Sequence, residues 1–184
     1  MDLAAGRGGD VGRFARACTA AGRAMTYVGM DVSAHQIAAA RKREAAGSWV
    51  LPAGSRIAWG VVDCFSPAAV QTARGLGPPQ YDVVSCQMAL HYAAQSETRM
   101  SEALDNCAAL CAPGGTVAVT TTDWERIIQF ATSSDGDEAV PRNELCTVGL
   151  ALPWPEEGAF GCGYHFSLGG RVNDGEFLIR VRNC

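Results

Sequence analysis

Three short apolar runs early in the chain each lead into a glycine turn or end on a carboxylate, and this pattern constrains the fold more than any other feature. Met1 to Ala4 enters Ala5-Gly6-Arg7-Gly8-Gly9-Asp10, Tyr27 to Val32 carries Asp31 near its end, and Arg56 to Val62 stops at Asp63. Segments of helical period separate them. Strand, helix and strand in alternation specify βαβ units, which pack as a parallel sheet covered by its crossover helices. The expectation is therefore an α/β fold: a doubly wound, mostly parallel sheet with helices on both faces and a first strand truncated to about four residues.

The individual elements follow from spacing and punctuation. Phe14, Ala15 and Cys18 share one side of a helix over Val11 to Ala21, and Ser33 is an N-cap for a helix reaching Ala46. A third helix is expected between Ser66 and Gly77, and a fourth strand over Tyr81 to Gln87. Glu97 to Cys111 reads as a helix with Ala103, Leu104, Cys107, Leu110 and Cys111 on one face. Pro113-Gly114-Gly115 then turns the chain into a strand from Thr116 to Thr122. Beyond this, Ser133 to Arg142 reads as a polar, acidic loop, and Gly163 to Leu168 and Glu176 to Arg182 as strands. One domain over 1–184 is expected, with a ligand-binding core in 1–122 and an incomplete insertion and tail in 123–184.

Composition excludes several classes. Fifteen Lys+Arg against nineteen Asp+Glu leave no broad basic face for duplex nucleic acid, so any RNA contact must be local. Lys42 is the only lysine, and arginine forks suit a few directed phosphate contacts. No apolar run reaches membrane-spanning length and no export signal opens the chain, which points to cytoplasm or nucleus and not to secretion. The eight cysteines are scattered through periodic segments, the pattern of reduced core residues, and no CxxC or His/Cys spacing suggests a metal.

A glycine turn after strand one and acids ending strands two and three form a nucleotide-type site at the carboxyl edge of such a sheet. Gly6, Gly8 and Gly9 let backbone approach a ligand, Asp31 can accept from both ribose hydroxyls, and Asp63 can accept from an adenine amino group. The glycines run GxGG instead of GxGxxG, which favours an adenosyl ligand without a pyrophosphate, S-adenosylmethionine over NAD. A tight structural turn in an unrelated α/β protein is the plainer alternative.

Longer strings narrow the field. Asp2-Leu-Ala-Ala-Gly-Arg-Gly-Gly-Asp10, Tyr27-Val-Gly-Met-Asp-Val-Ser33, Asp63-Cys-Phe65, Tyr81-Asp-Val-Val-Ser-Cys-Gln-Met-Ala-Leu-His-Tyr92 and Pro113-Gly-Gly115 together resemble the mRNA cap guanine-N7 methyltransferases. Phe160-Gly161, Tyr164, Phe166, Leu168, Val172 and Glu176-Phe-Leu-Ile179 look like that family's guanine-reading segment. The resemblance implies a Rossmann-like class I methyltransferase fold and methyl transfer from S-adenosylmethionine to guanine N7 of a GpppN cap. It places Asp2, Gly6, Gly8, Asp31, Asp63, Cys64, Gln87 and Tyr92 around the methyl donor. It places Arg7 at the cap phosphates, His91 and Tyr92 beside the guanine, and Glu176 on the guanine N1/N2 edge. It also implies a nuclear location, capped mRNA as partner, and a guanylyltransferase or activating subunit as a further one.

Each residue has a bland reading as well. Asp10 can serve the helix dipole, His91 can be a satisfied core histidine, Tyr92 core packing, and Glu176 a surface carboxylate. The family has residues before the first strand and continues after Glu176, so the chain resembles a member shortened at both ends. Ala5 stands where the family commonly has cysteine, and Met88 where it has an aromatic. A small-molecule methyltransferase and a non-catalytic copy acting as a binding module are the alternatives these departures leave.

Overall fold

A computed structural model describes residues 1–123 and, beyond them, 125–127, 129, 146–150, 161, 163–168 and 177–180. The chain divides into two compact units, Met1–Gln87 with Ser101–Thr120, and Met88–Met100 with Thr121–Cys184.

The first unit holds β1 (Asp2–Leu3), α1 (Val11–Ala20), β2 (Thr26–Asp31), α2 (Ala34–Ala45), β3 (Arg56–Val61), α3 (Ala68–Leu76), β4 (Tyr81–Gln87), most of α4 (Glu97–Leu110) and β5 (Cys111–Thr120). The sheet is parallel throughout, in the order β3-β2-β1-β4-β5. Strand order reverses at β1, which pairs with both β2 and β4: Asp2 lies opposite Gly29 and Ser85, and Leu3 opposite Met30 and Cys86. A reversal of this kind opens a crevice at the carboxyl ends of the strands.

Side-chain alternation along β2 assigns the two faces. Tyr27 joins Trp59 of β3, Val11 and Ala15 of α1, and Ile37 and Ala40 of α2 in one buried cluster, with Phe14 and Cys18 packed against it. On the opposite face Met30 and Leu76 of α3 press on Gly60, where a Cβ would stand 2.7 Å from Leu76. The helices therefore cover both faces, as the alternation of elements requires. Ser33 caps α2 as expected, its hydroxyl accepting from the Gln36 N–H at 3.3 Å.

Two expectations need correction. The strand placed at Thr116 to Thr122 runs instead from Cys111 to Thr120, with Pro113-Gly114-Gly115 inside it. Cys111 already pairs with Tyr81, and the register then shifts so that Val83 meets Thr116. The glycines form a bulge, Gly114 at φ +76° and Gly115 closed in by the Asp82 and Ala112 carbonyls. On α4, Leu104 is exposed, and the buried stripe is Ala103, Asn106, Cys107 and Leu110.

Asn106 is the polar member of that stripe. Its amide donates to the Cys64 carbonyl at 3.0 Å and the Ser66 carbonyl at 2.9 Å, tying α4 to the loop that carries Asp63. Asn106→Ala strands two carbonyls, the one at Cys64 in a buried place and the one at Ser66 in a partly buried one, and is expected to lower stability by about 2 kcal/mol. Urea unfolding of the variant checks this, and an unchanged midpoint would deny the tie any weight. Cys18, Cys64, Cys86, Cys107 and Cys111 are free thiols. Among the described residues no helix is long and apolar enough to cross a membrane.

In the second unit a 3-10 helix (Leu90–Gln95) follows β4, and β6 (Cys146–Leu150), β7 (Gly163–Leu168) and β8 (Phe177–Arg180) form an antiparallel sheet in that order. β7 has the expected bounds and β8 the core of the expected run, whereas β6 has no counterpart in the sequence reading. The loop expected over Ser133 to Arg142 lies outside the described residues. Tyr164 of β7 is fully buried, with its hydroxyl donating to Thr122 Oγ1 at 3.2 Å.

Candidate active site

The carboxyl ends of β1, β2 and β3 bring the glycine turn, Asp31 and Asp63 to the crevice edge of the first unit. Leaving β1, the chain takes left-handed backbone at Ala4, Gly6 and Gly8, with φ of 58°, 53° and 71°. A left-handed alanine is strained, and strain of this sort persists where surrounding bonds overdetermine it. Here Ala4 N–H donates to Cys64 Sγ at 3.3 Å, Ala5 N–H to the Met30 carbonyl at 2.8 Å, and Gly8 N–H back to the Ala5 carbonyl at 2.9 Å.

Asp31 ties this turn to β2. One carboxylate oxygen accepts from Gly6 N–H at 2.9 Å and the other from Ser33 N–H at 2.8 Å. A carboxylate offers about four acceptor positions, so about half remain for a ligand. A Cβ at Gly6 or Gly9 would meet nothing within 4 Å, so the turn is open there, while Gly8 is backed by Trp59 and Trp49. An open backbone cradle beside a half-used carboxylate fits an adenosyl ligand with vicinal ribose hydroxyls. Asp63 stands at the same edge, one oxygen accepting from Phe65 N–H at 3.0 Å.

Other expected donor-site residues face the protein. Asp2 is buried and accepts from the Tyr27 hydroxyl at 2.5 Å. Burial pushes its carboxyl up to about 6, the charge of Asp10 adds to this, and the bond from Tyr27 opposes it. Cys64 is buried too, its thiol raised to about 12 chiefly by desolvation and engaged with Ala4 N–H and the Met30 carbonyl. Its side chain therefore holds the turn. The Gln87 amide is engaged across the sheet, donating to the Ala118 carbonyl at 3.0 Å and to Ser85 Oγ at 3.1 Å, and accepting from Thr120 at 3.0 Å.

Arg7 is exposed on the turn, and its Nε donates to Gln36 Oε1 at 2.9 Å. In the second unit, Met88 is left-handed at φ 52° directly after β4, and His91 and Tyr92 sit in the 3-10 helix with ring centroids 4.3 Å apart. His91 is 4% exposed, and neither ring nitrogen has a hydrogen-bond partner among the described residues. Desolvation lowers its pKa to about 4, so the imidazole is neutral at physiological pH. Tyr92 is partly exposed. Glu176 lies outside the described residues.

The sequence matches the model of the mRNA (guanine-N(7))-methyltransferase domain over residues 1–183. The chain belongs to the mRNA cap guanine-N7 methyltransferase family. It is 29% identical to the mRNA cap guanine-N(7) methyltransferase 1 of Oryza sativa, over 97% of this chain and 48% of that protein. The corresponding figures are 31%, 97% and 46% for the Caenorhabditis elegans mRNA cap guanine-N(7) methyltransferase. The chain thus spans about half the length of these curated relatives.

Solved structures agree on the fold. An S-adenosylmethionine-dependent methyltransferase from Clostridium acetobutylicum superposes with a TM-score of 0.59 at 11% identity, covering 100% of this chain and 65% of that one. DesVI of Streptomyces venezuelae gives 0.54 at 20% identity, covering 99% and 68%. This cap methyltransferase family member therefore has the Rossmann-like class I methyltransferase fold expected of its sequence.

Sequence reasoning missed the Tyr27–Asp2 bond, Asn106 and the two tryptophans behind Gly8. Asn106 had a signal, a lone amide inside an apolar helical stripe. The Tyr27–Asp2 bond had none, because strand register is invisible in one sequence.

Proposed function

We propose that the chain carries the catalytic core for methyl transfer from S-adenosylmethionine to guanine N7 of the GpppN mRNA cap. The observation that carries this reading is the open glycine turn clamped by Asp31 at the strand-order reversal, in a chain of this family. When bound, S-adenosylmethionine supplies the electrophilic methyl group. Gly6 and Gly8 give the donor close backbone approach, Asp31 accepts from its ribose hydroxyls, and Asp63 accepts from its adenine amino group. Gln87, by holding β4 to β5, fixes the strand end from which His91 and Tyr92 follow in the chain.

No general base is required, because guanine N7 has a lone pair and no proton. Rate then depends on alignment and exclusion of water. Neutral His91, with both nitrogens unpartnered among the described residues, offers one donor and one acceptor to a polar edge without adding positive charge beside a guanine that is becoming cationic. Glu176 is assigned the guanine N1/N2 edge, where a carboxylate would favour the charged transition state. Arg7 is assigned the cap phosphates, exchanging its bond to Gln36 for a charge-assisted one. A nuclear setting and a guanylyltransferase or activating partner accompany this reading through the family role.

Labelled methyl transfer to GpppA-ended RNA, with uncapped RNA as control, tests the assignment. Transfer to guanine N7 that requires the cap and falls at least about a hundredfold in Glu176→Ala is expected. Transfer to uncapped acceptors, or a fully active Glu176→Ala protein, would overturn it.

A further inference from the structure

Trp49 and Trp59 meet beneath the glycine turn, and neither belongs to the donor site outlined above. A Cβ at Gly8 would stand 2.7 Å from Trp59 Cη2 and 3.1 Å from Trp49 Cη2 and Cζ2, so both indole rims lie against the bare Cα of that glycine. The rings are 6.1 Å apart at 37°. Gly29 of β2 gives Trp59 its place in the sheet: a Cβ there would be 2.5 Å from the ring.

Both indoles are fixed from α2. Trp59 Nε1–H donates to Glu44 at 2.6 Å, and the Arg43 guanidinium stacks over Trp49 at 5.1 Å. The same guanidinium donates to the Arg7 carbonyl at 3.0 Å, one residue before Gly8. The turn is therefore gripped at adjacent residues by two side chains on one turn of α2, directly at Arg7 and through the indoles at Gly8. Asp31 grips it separately at Gly6. Packing and hydrogen bonds of this kind, one step behind a binding site, determine how accurately the site is held.

We propose that Trp49, Trp59, Arg43 and Glu44 form a brace that holds the glycine turn in its donor-binding shape, Trp49 and Trp59 acting as positioning residues whose indoles respond to donor occupancy. The inference rests on the donor assignment of the preceding section for its ligand. It predicts that the indoles serve the turn beyond filling the core, because their contact is with the backbone that the ligand approaches.

Three measurements on the full chain test it. Hydrogen exchange without ligand reads the brace alone: the amides of Gly6 and Gly8 should exchange at least about tenfold faster in Trp49→Ala than in the wild type, while β3 amides keep their protection. By calorimetry, S-adenosylhomocysteine should bind Trp49→Ala about tenfold more weakly, with Trp49→Phe restoring most of the affinity. In a protein with Trp124→Phe and Trp154→Phe, which leaves Trp49 and Trp59 as the only indoles, the ligand should change the intrinsic fluorescence. Unchanged exchange at Gly6 and Gly8, unchanged affinity in a folded Trp49→Ala protein, or silent fluorescence under saturating ligand would each overturn the brace. Failure of the wild type to bind S-adenosylhomocysteine would overturn the donor assignment and the brace's role in it, while exchange at the turn still decides whether the mechanical brace exists.

Discussion

Asp31→Ala is expected to weaken S-adenosylhomocysteine binding by at least about a hundredfold, the largest single loss anticipated at this site. Two effects combine. Hydrogen bonds to a charged acceptor contribute about 1.5–3 kcal/mol each, so losing two to ribose hydroxyls already accounts for about a hundredfold or more. The second effect precedes the ligand. Gly6 N–H and Ser33 N–H both depend on this carboxylate, and without it the left-handed turn at Gly6 loses its tie to β2. Asp31→Asn separates the two contributions. An amide keeps one acceptor oxygen, so it can serve one of the two N–H groups and should give an intermediate affinity. Calorimetric titration of both variants checks the order, and an alanine variant that binds within about threefold of the wild type would remove Asp31 from the donor site.

The architecture of the first unit was readable because its signals are local. A carboxylate ending an apolar run, serine before a helical stripe and glycines after a strand each have a physical cause within a few residues, and β4 lies over Tyr81–Gln87 as expected. Expectation failed where long-range pairing decided the outcome. Pro113-Gly114-Gly115 carries turn chemistry, yet pairing of Cys111 with Tyr81 starts the strand upstream and turns the glycines into a bulge. Leu104 fits the helical period, yet its position on α4 is exposed and Asn106 holds the buried place. Contacts around the candidate site show the same contrast. Asp31 accepts from Ser33 N–H two residues on, a local tie, and from Gly6 N–H in the glycine turn. Asp2 and Cys64 sit in equally legible strings, yet the bonds their side chains make, Asp2 with Tyr27 and Cys64 with Ala4 N–H, join residues far apart in sequence and could not be read from them.

The second large effect is a pH dependence in which two buried groups oppose one another. The folded-state pKa of His91 is about 4 against an ordinary 6.5, lowered by desolvation. As pH falls below 6.5 the unfolded chain takes up this proton first, so stability present above 6.5 is lost progressively toward pH 4, by about 3 kcal/mol in full. Asp2 behaves in the reverse sense. Its folded pKa is about 6 against 3.8, raised mainly by burial, so the folded state holds a proton that the unfolded chain releases. Stability from Asp2 is therefore lost as pH rises from 3.8 to 6, by a similar amount. The wild-type profile between pH 4 and 6 should be nearly flat for this reason, and variants should uncover each slope. His91→Gln is expected to become more stable as pH falls through that window, and Asp2→Asn less stable. Denaturant unfolding at half-unit pH steps makes the comparison, and parallel profiles for wild type and both variants would show that neither group is buried as the structure places it.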